Sequence, residues 1–419
     1  MMWFGALLLL LAVFGAPLFS VIAASAMLGY QREGIDLMAI AIEILGLAEM
    51  PFLSAIPLFT FAGYLLSASK APQRLVRMTG ALLGWMPGGL ALVALAACAF
   101  FTAFTGASGV TIIALGAILY PALQQDGYPD RFNLGLVTTS GSLGLLFAPS
   151  LPLILYGVIA EVPVDDLFRA GILPGMLMLV MLSGWSLWVN RANRKPLRDF
   201  SLREVGAAVR ESAWELPLPF VVLGGIYSGF FAVSEAAAVT AAYVLLVEVA
   251  ILKEIRLAEL PRIMRESMLL VGGILIILGV SLASTNYMID ADVPQRLLGV
   301  VAELVTSQAT FLVLLLIFLL ILGAILDIFS ATVLVVPLIL PIAAQYGVNE
   351  IHLGIVFLAA MQLGYLTPPV GLNLFIASYR FDKPIMEVYL ATLPFLLILS
   401  VSVIVIAFWP QLSLWLVAQ

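Results

Sequence analysis

The chain has 419 residues, 63% hydrophobic and only 11% charged, with a net charge of −6 and a mean hydropathy of +1.13. A soluble domain carries roughly 45–50% apolar and about 25% charged residues, so this composition excludes a water-soluble globule. Apolar runs of spanning length recur from end to end, and the chain reads as an all-α polytopic membrane protein. One cysteine (Cys98) and one histidine (His352) exclude an intrachain disulfide and a Cys/His metal cluster.

The first apolar run, Met2 to Tyr30, lacks a basic flank and a small-residue cleavage site, so it reads as a retained helix over 3–30 followed by an amphipathic loop to residue 50. A second span covers 51–68, and the amphipathic "APQRLVRMTG" begins at Ala71. Residues 88–123 are too long for one helix and carry the small, polar "TGAS" (105–108) at their centre, which predicts a re-entrant helical hairpin. The next span, 132–160, is interrupted by "GSLGLLFAPSLP" (141–152), and a further helix covers 171–190. A basic linker leads to a connecting helix pair, 213–231 and 235–252, and a span over 266–285. "VPQRLLGVVA" then begins at Val293. A second over-long run, 308–345, carries Asp327 where the first carries TGAS and predicts a second hairpin. The span 351–379 is interrupted by "GYLTPPVGLN" (364–373), and 386–408 completes the set, with a tail over 409–419. The total is about eleven helices plus two hairpins, as spanning lengths near twenty residues allow.

Two halves of this order match. After the shared PQRL, one register pairs Pro121 with Pro341, Gly127 with Gly347, Gly144 with Gly364 and Pro149 with Pro369. If each hairpin enters and leaves on one side, every Lys and Arg except Arg32, Arg169 and Arg296 falls on a single side, which the positive-inside rule assigns to the cytoplasm. The N-terminus is then inside and the C-terminus extracytoplasmic. The segment after the first PQRL lies with Lys70, Arg74 and Arg77, and its counterpart with Asp290, Asp292 and Glu303, so the two units are inverted repeats. The organisation is 1–50 (N-terminal scaffold helix and loop), 51–190 (first repeat), 191–265 (linker and connecting pair), 266–408 (second repeat) and 409–419 (tail). Inverted repeats with discontinuous helices are the plan of secondary transporters, whose sites lie where the repeats meet. A duplicated channel or a scaffold is the competing reading.

Prolines such as Pro368 and Pro369 cannot continue a helix, and a break frees carbonyls at the end of one half-helix and N–H groups at the start of the next. Those carbonyls can hold Na⁺ and those N–H groups can face a carboxylate. Each hairpin tip is expected to meet the break of its own repeat. Asp327, the acidic residue deepest in an apolar run, is either a functional carboxylate or a helix cap. Asn373, Asn286 and Tyr156 either bond substrate or tie helices together. Thr105 and Ser108 taken alone would read as helix-packing residues. No HExxH, aspartyl pair or Ser/His dyad is present, so an intramembrane enzyme is excluded.

With these residues in view, the chain resembles the large membrane subunit (DctM-type) of the tripartite ATP-independent periplasmic (TRAP) transporters, which share the elevator fold of the ion-transporter superfamily. The stretches that carry the resemblance are "IPLFTFAGYLL" (56–66), "FTGASGVTIIALGAI" (104–118), "LGLLFAPSLPLILYG" (143–157), "SEAAAVTAAYVLL" (234–246), "VPLILPIAAQYGVNEIHLGIV" (336–356) and "GYLTPPVGLNLFIAS" (364–378). The resemblance implies a bacterial inner-membrane, Na⁺-coupled elevator importing an organic acid anion, carboxylate or sulfonate. It needs no cofactor beyond Na⁺ as coupling ion, and no nucleic acid. The implied partners are a small four-helix membrane subunit (DctQ-type) and an extracytoplasmic substrate-binding protein (DctP-type). Carried over motif by motif, a first sodium site would use Thr105, Ser108, Gly144, Phe147 and Pro149, and a second Gly323, Gly364, Thr367 and Val370. Asp327, Asn373, Tyr156, Pro368 and Pro369 would surround the substrate. The chain departs from the family pattern in having TGAS for a serine-rich tip and FAPS, with Ala148, for IPPS. The alternative is a stand-alone sodium/anion transporter of the same architecture that uses no binding protein.

Overall fold

The computed structural model describes residues 16–47, 53–86, 88–191, 200–291 and 305–417, with isolated positions at 8, 10, 11, 14, 49, 50, 296 and 299. Among these every regular element is helical. Of the second PQRL segment only Arg296 and Gly299 are among the described residues, so its course lies outside them.

Both hairpins are present. The first descends through Gly89–Thr105, turns at Gly106 and Ala107, and returns through Ser108–Ala114 and Gly116–Gln125, which are bent by 48°. Gly106 ends the first leg because it adopts φ +64 and bonds back to Thr102 O, a left-handed conformation that glycine takes without a Cβ penalty. The second hairpin runs Gln308–Gly323 and Ile328–Gln345. The interrupted spans are also as expected. The first is Asp130–Ser140, a short 3₁₀ turn Leu143–Leu146, then Leu151–Ala160, with a bend of 42°. The second is Glu350–Gly364, irregular backbone, then Leu372–Phe381. Cis peptide bonds precede Pro149 and Pro369.

Other boundaries move. The first described helix is Leu18–Glu33, stopped by Gly34 in the left-handed conformation. A helix, Met38–Leu47, occupies the expected loop before residue 50. The linker contains Leu202–Glu211, whose start is marked by Ser201 accepting from Glu204 N. The span expected over 171–190 begins at Val164, and that over 266–285 runs Leu260–Asp290, because polar turns at the helix ends continue the backbone hydrogen bonding beyond the apolar window. A short helix, Pro410–Leu414, ends the described chain. Among the described residues five helices are long and apolar enough to cross a membrane, or seven if each bent pair counts as one span.

Packing between the units is reciprocal. The return leg of the first hairpin lies on Leu372–Phe381, the second half of the second broken helix. The return leg of the second hairpin lies on Leu151–Ala160, the second half of the first. Around this core, Ala55–Ala68 packs on Val233–Leu245 and Leu260–Asp290. The PQRL helix of the first unit, Ala71–Leu83, bridges to Gly89–Thr105 and Leu202–Glu211.

Candidate functional site: two hairpin tips against two helix breaks

At the first junction the backbones touch. A Cβ on Gly144 would collide with Ala99 O in the first hairpin leg, and one on Gly106 would lie 2.5 Å from Leu151 Cγ. Glycine at both positions is what lets the tip seat against the break. Thr102 Oγ1 donates to Gly141 O at 2.8 Å and pairs with Thr111 Oγ1 at 2.7 Å, holding the two hairpin legs and the break in one network. Phe147 closes the 3₁₀ turn by donating N–H to Gly144 O at 3.0 Å, and Ser150 N donates to Phe147 O at 3.1 Å. The Phe147 ring lies over Gly175.

Ser108 Oγ donates to Asn373 Oδ1 at 2.7 Å, so the first tip is bonded to the restart of the second broken helix. Both residues are buried. The same elements carry buried polar atoms that no group in the protein satisfies. Thr105 Oγ1 and Asn373 Nδ2 are buried without a hydrogen-bond partner, as are Thr139 Oγ1 and Ser150 Oγ on either side of the first break. An orphaned buried polar atom costs about 1–3 kcal/mol, and several on facing elements mark a place built to receive a ligand.

At the second junction a Cβ on Gly364 would collide with the backbone of Gly323, which fixes glycine at this pair. Ala324 O accepts from Val370 N at 3.2 Å and Gly371 N at 3.1 Å, tying the second tip to the second break. Thr367 N donates to Gly364 O at 3.0 Å, and its hydroxyl to Leu363 O at 2.9 Å. Pro368, Pro369 and Val370 are exposed, so this break is more open than the first. Tyr389 OH donates to Pro369 O at 2.8 Å.

Asp327 caps the return leg of the second hairpin. Its Oδ1 accepts from Phe329 N and Ser330 N, each at 3.0 Å, and its Oδ2 from Ser330 Oγ at 2.5 Å. That is the N-cap arrangement, and it accounts for a carboxylate in an apolar run. Asp327 also lines a cavity of about 230 Å³ between this hairpin and Leu260–Asp290, with Leu269, Gly273 and Phe329. Tyr156 makes the helix-tying bond, one of its two readings. Its hydroxyl donates to Glu350 O at 2.7 Å and its ring lies against Gly354, so it ties the two broken helices together about three helical turns from Gly364. Asn286 is half-buried near the end of Leu260–Asp290.

Sequence reasoning passed over Gln362, whose Oε1 and Nε2 are both buried and unpartnered one turn before the second break. As the lone amide in "IVFLAAMQLG" it stands out on inspection. It also passed over a cross-unit clasp. Lys383 Nζ lies 2.7 Å from Asp130 Oδ2, and Tyr120 OH donates to Asp130 Oδ1 at 2.6 Å. The bond to Asp130 raises Lys383 above its ordinary range. Among the described residues no group of three or more His, Cys, Asp or Glu could hold a metal ion. The oxygens at the junctions are hydroxyl, amide and main-chain carbonyl, a hard set suited to an alkali cation.

The family model of the tripartite ATP-independent periplasmic transporter, DctM component, matches residues 2–412. The C4-dicarboxylate TRAP transporter large permease protein of Pseudomonas aeruginosa is 36% identical over 377 residues, covering 90% of this chain and 88% of its own. The ectoine/5-hydroxyectoine large permease of Ruegeria pomeroyi is 30% identical, covering 98% and 96%. The isethionate permease DctMQ of Oleidesulfovibrio alaskensis is 31% identical over 86% of this chain and 57% of its own. The crystal structure of the Alcanivorax borkumensis YdaH transporter shares the fold, with a TM-score of 0.57 at 13% identity, covering 89% of this chain and 87% of that one.

Proposed function

The chain belongs to the DctM component family of tripartite ATP-independent periplasmic transporters, and from that premise we propose that it is a large permease subunit importing an organic acid anion by a Na⁺-coupled elevator mechanism. The carrying observation is the pair of tip–break junctions, joined through Ser108 and Asn373 and flanked by buried polar atoms without partners. Na⁺ is held at each junction by hydroxyl and main-chain oxygens: Thr105, Ser108, Gly144, Phe147 and Pro149 at the first, Gly323, Gly364, Thr367 and Val370 at the second. Each ion draws a tip onto its break, and the anion then meets half-helix N-termini whose partial positive charge suits a carboxylate or sulfonate. The hairpins and broken helices move together as the carrier. The connecting pair and the helices on Leu260–Asp290 stay with the scaffold, and the PQRL helix is the arm between them.

The relatives named for C4-dicarboxylates and isethionate favour a small anion as cargo. Two further relatives are named for ectoine, a net-neutral zwitterion. Delivery by an extracytoplasmic binding protein and extension of the scaffold by a small four-helix subunit follow from the tripartite character of the family, and the DctMQ relative, longer than this chain, carries both letters in its name. The protein sits in the inner membrane with its C-terminus extracytoplasmic.

Uptake into liposomes containing this chain and its small subunit, with binding protein outside, tests the coupling. The expected result is accumulation that requires an inward sodium gradient. Equal accumulation in its absence overturns it.

A further inference from the structure

The arginine of the first PQRL, Arg74, serves more carboxylates than it can neutralise. It stands in the first turns of Ala71–Leu83 with its side chain 13% exposed. Its Nη2 lies 2.5 Å from Glu215 Oε1 and its Nη1 2.5 Å from Glu254 Oε1, while Nε donates to Glu215 at 2.6 Å. Glu254 Oε2 also accepts from Lys70 N at 2.8 Å. Burial works to raise Glu254, but Arg74 and Lys70 outweigh it and hold that carboxyl below its ordinary range.

Glu248 is the third carboxylate. It lies where Val233–Leu245 widens into a π turn over Leu246–Ile251, a local distortion found most often at functional positions. Its side chain is 1% exposed, and its nearest cation is Arg74 Nη2 at 3.5 Å. Neither of its oxygens has a hydrogen-bond partner. The groups that face it are Arg74 from the PQRL helix, Glu215 from the turn before Pro217–Tyr227, Glu254 from its own following loop, and Ser69, whose hydroxyl donates to Leu66 O. A cavity of about 30 Å³ beside Arg74 and Glu215 has room for roughly one water, and Glu248 is not among its lining residues. A buried carboxylate whose nearest cation stands 3.5 Å away and which has two carboxylates beside it is penalised when charged.

We propose that Glu248 is a proton-binding site that sets how firmly the Ala71–Leu83 helix is fastened to the connecting pair. With the proton on Glu248, Glu215 and Glu254 alone hold the guanidinium. When the carboxyl gives up its proton to water, a third negative charge on the connecting pair faces Arg74 Nη2 at 3.5 Å and the helix is fastened more firmly. The helix concerned is the one read above as the arm, so the device would tune transport to pH on the basic face.

The test uses the full chain in lipid nanodiscs without sodium or substrate, so its outcome is independent of the transport reading. Infrared difference spectra between acidic and alkaline buffer are expected to show a protonated-carboxyl C=O band that is lost as pH rises and missing from Glu248→Gln. Hydrogen exchange over residues 69–83, corrected for intrinsic rate, is expected to fall several-fold over the same step in the natural chain and to stay flat in Glu248→Gln. Arg74→Lys, which keeps the charge but not the fork, is expected to exchange fast at both pH values. A band that persists in Glu248→Gln, or the same exchange profile in both proteins, overturns the proposal.

Discussion

Thr105 and Asn373 show how much a single orphaned atom can carry. The Thr105 hydroxyl has no partner in the protein, so Thr105→Val removes no internal bond and should leave thermal stability nearly unchanged. If the hydroxyl is a sodium ligand, the half-activating sodium concentration should rise about tenfold, or ~1.4 kcal/mol, near the scale of one lost bond to a charged group. Sodium titration of uptake reads this directly; an unshifted curve removes Thr105 from the site. Asp327 calls for the opposite comparison. Because Asn accepts the same two N–H bonds, Asp327→Asn should keep the cap, whereas Asp327→Ala should cost about 1 kcal/mol of local stability. Loss of transport in both Asn and Ala variants, with the Asn variant as stable as the natural chain, would show that the negative charge itself is used. Tyr156 illustrates what single residues hide: a tyrosine in an apolar run announces that its hydroxyl has a partner, but Glu350 O is supplied by tertiary contact from another unit.

At the level of the element, the breaks were the most legible part of the chain. Proline pairs and glycines inside spanning runs have only backbone reasons to be there, and those reasons act within a few residues: Pro149, Pro368 and Pro369 deny the helix its N–H groups wherever the chain folds. The hairpins were legible for a related cause, since 88–123 and 308–345 exceed one span and carry a polar centre. Met38–Leu47 was not, because a ten-residue apolar helix has the length of a loop and takes its partner from Leu260–Asp290, far along the chain. Leu202–Glu211 was missed because its polar face resembles linker composition. The glycines at the junctions were visible as matched pairs, but their reason is close approach, which only packing reveals. Gly364→Ala tests that reason. The added methyl meets the Gly323 backbone, so the variant should lose about 1–3 kcal/mol as overpacking does. A thermal-shift assay checks it, and a midpoint equal to that of the natural chain would mean the tip withdraws freely from the break.

For the whole molecule, the open question is whether the chain works alone. Family membership favours a permease fed by a binding protein, and omission of that protein from the liposome assay should abolish uptake at low substrate concentration. Sustained uptake would favour the stand-alone reading instead. The packing has a bearing on where such a chain came from. Each unit lends its return leg to the other's half-helix, the first through Ser108–Ala114 on Leu372–Phe381, the second through Ile328–Gln345 on Leu151–Ala160. A solitary unit would leave both surfaces bare. Halves produced as separate polypeptides should therefore be degraded individually and rescue each other when co-expressed, and a forebear of half this length could have stood only as two copies clasping in opposite senses.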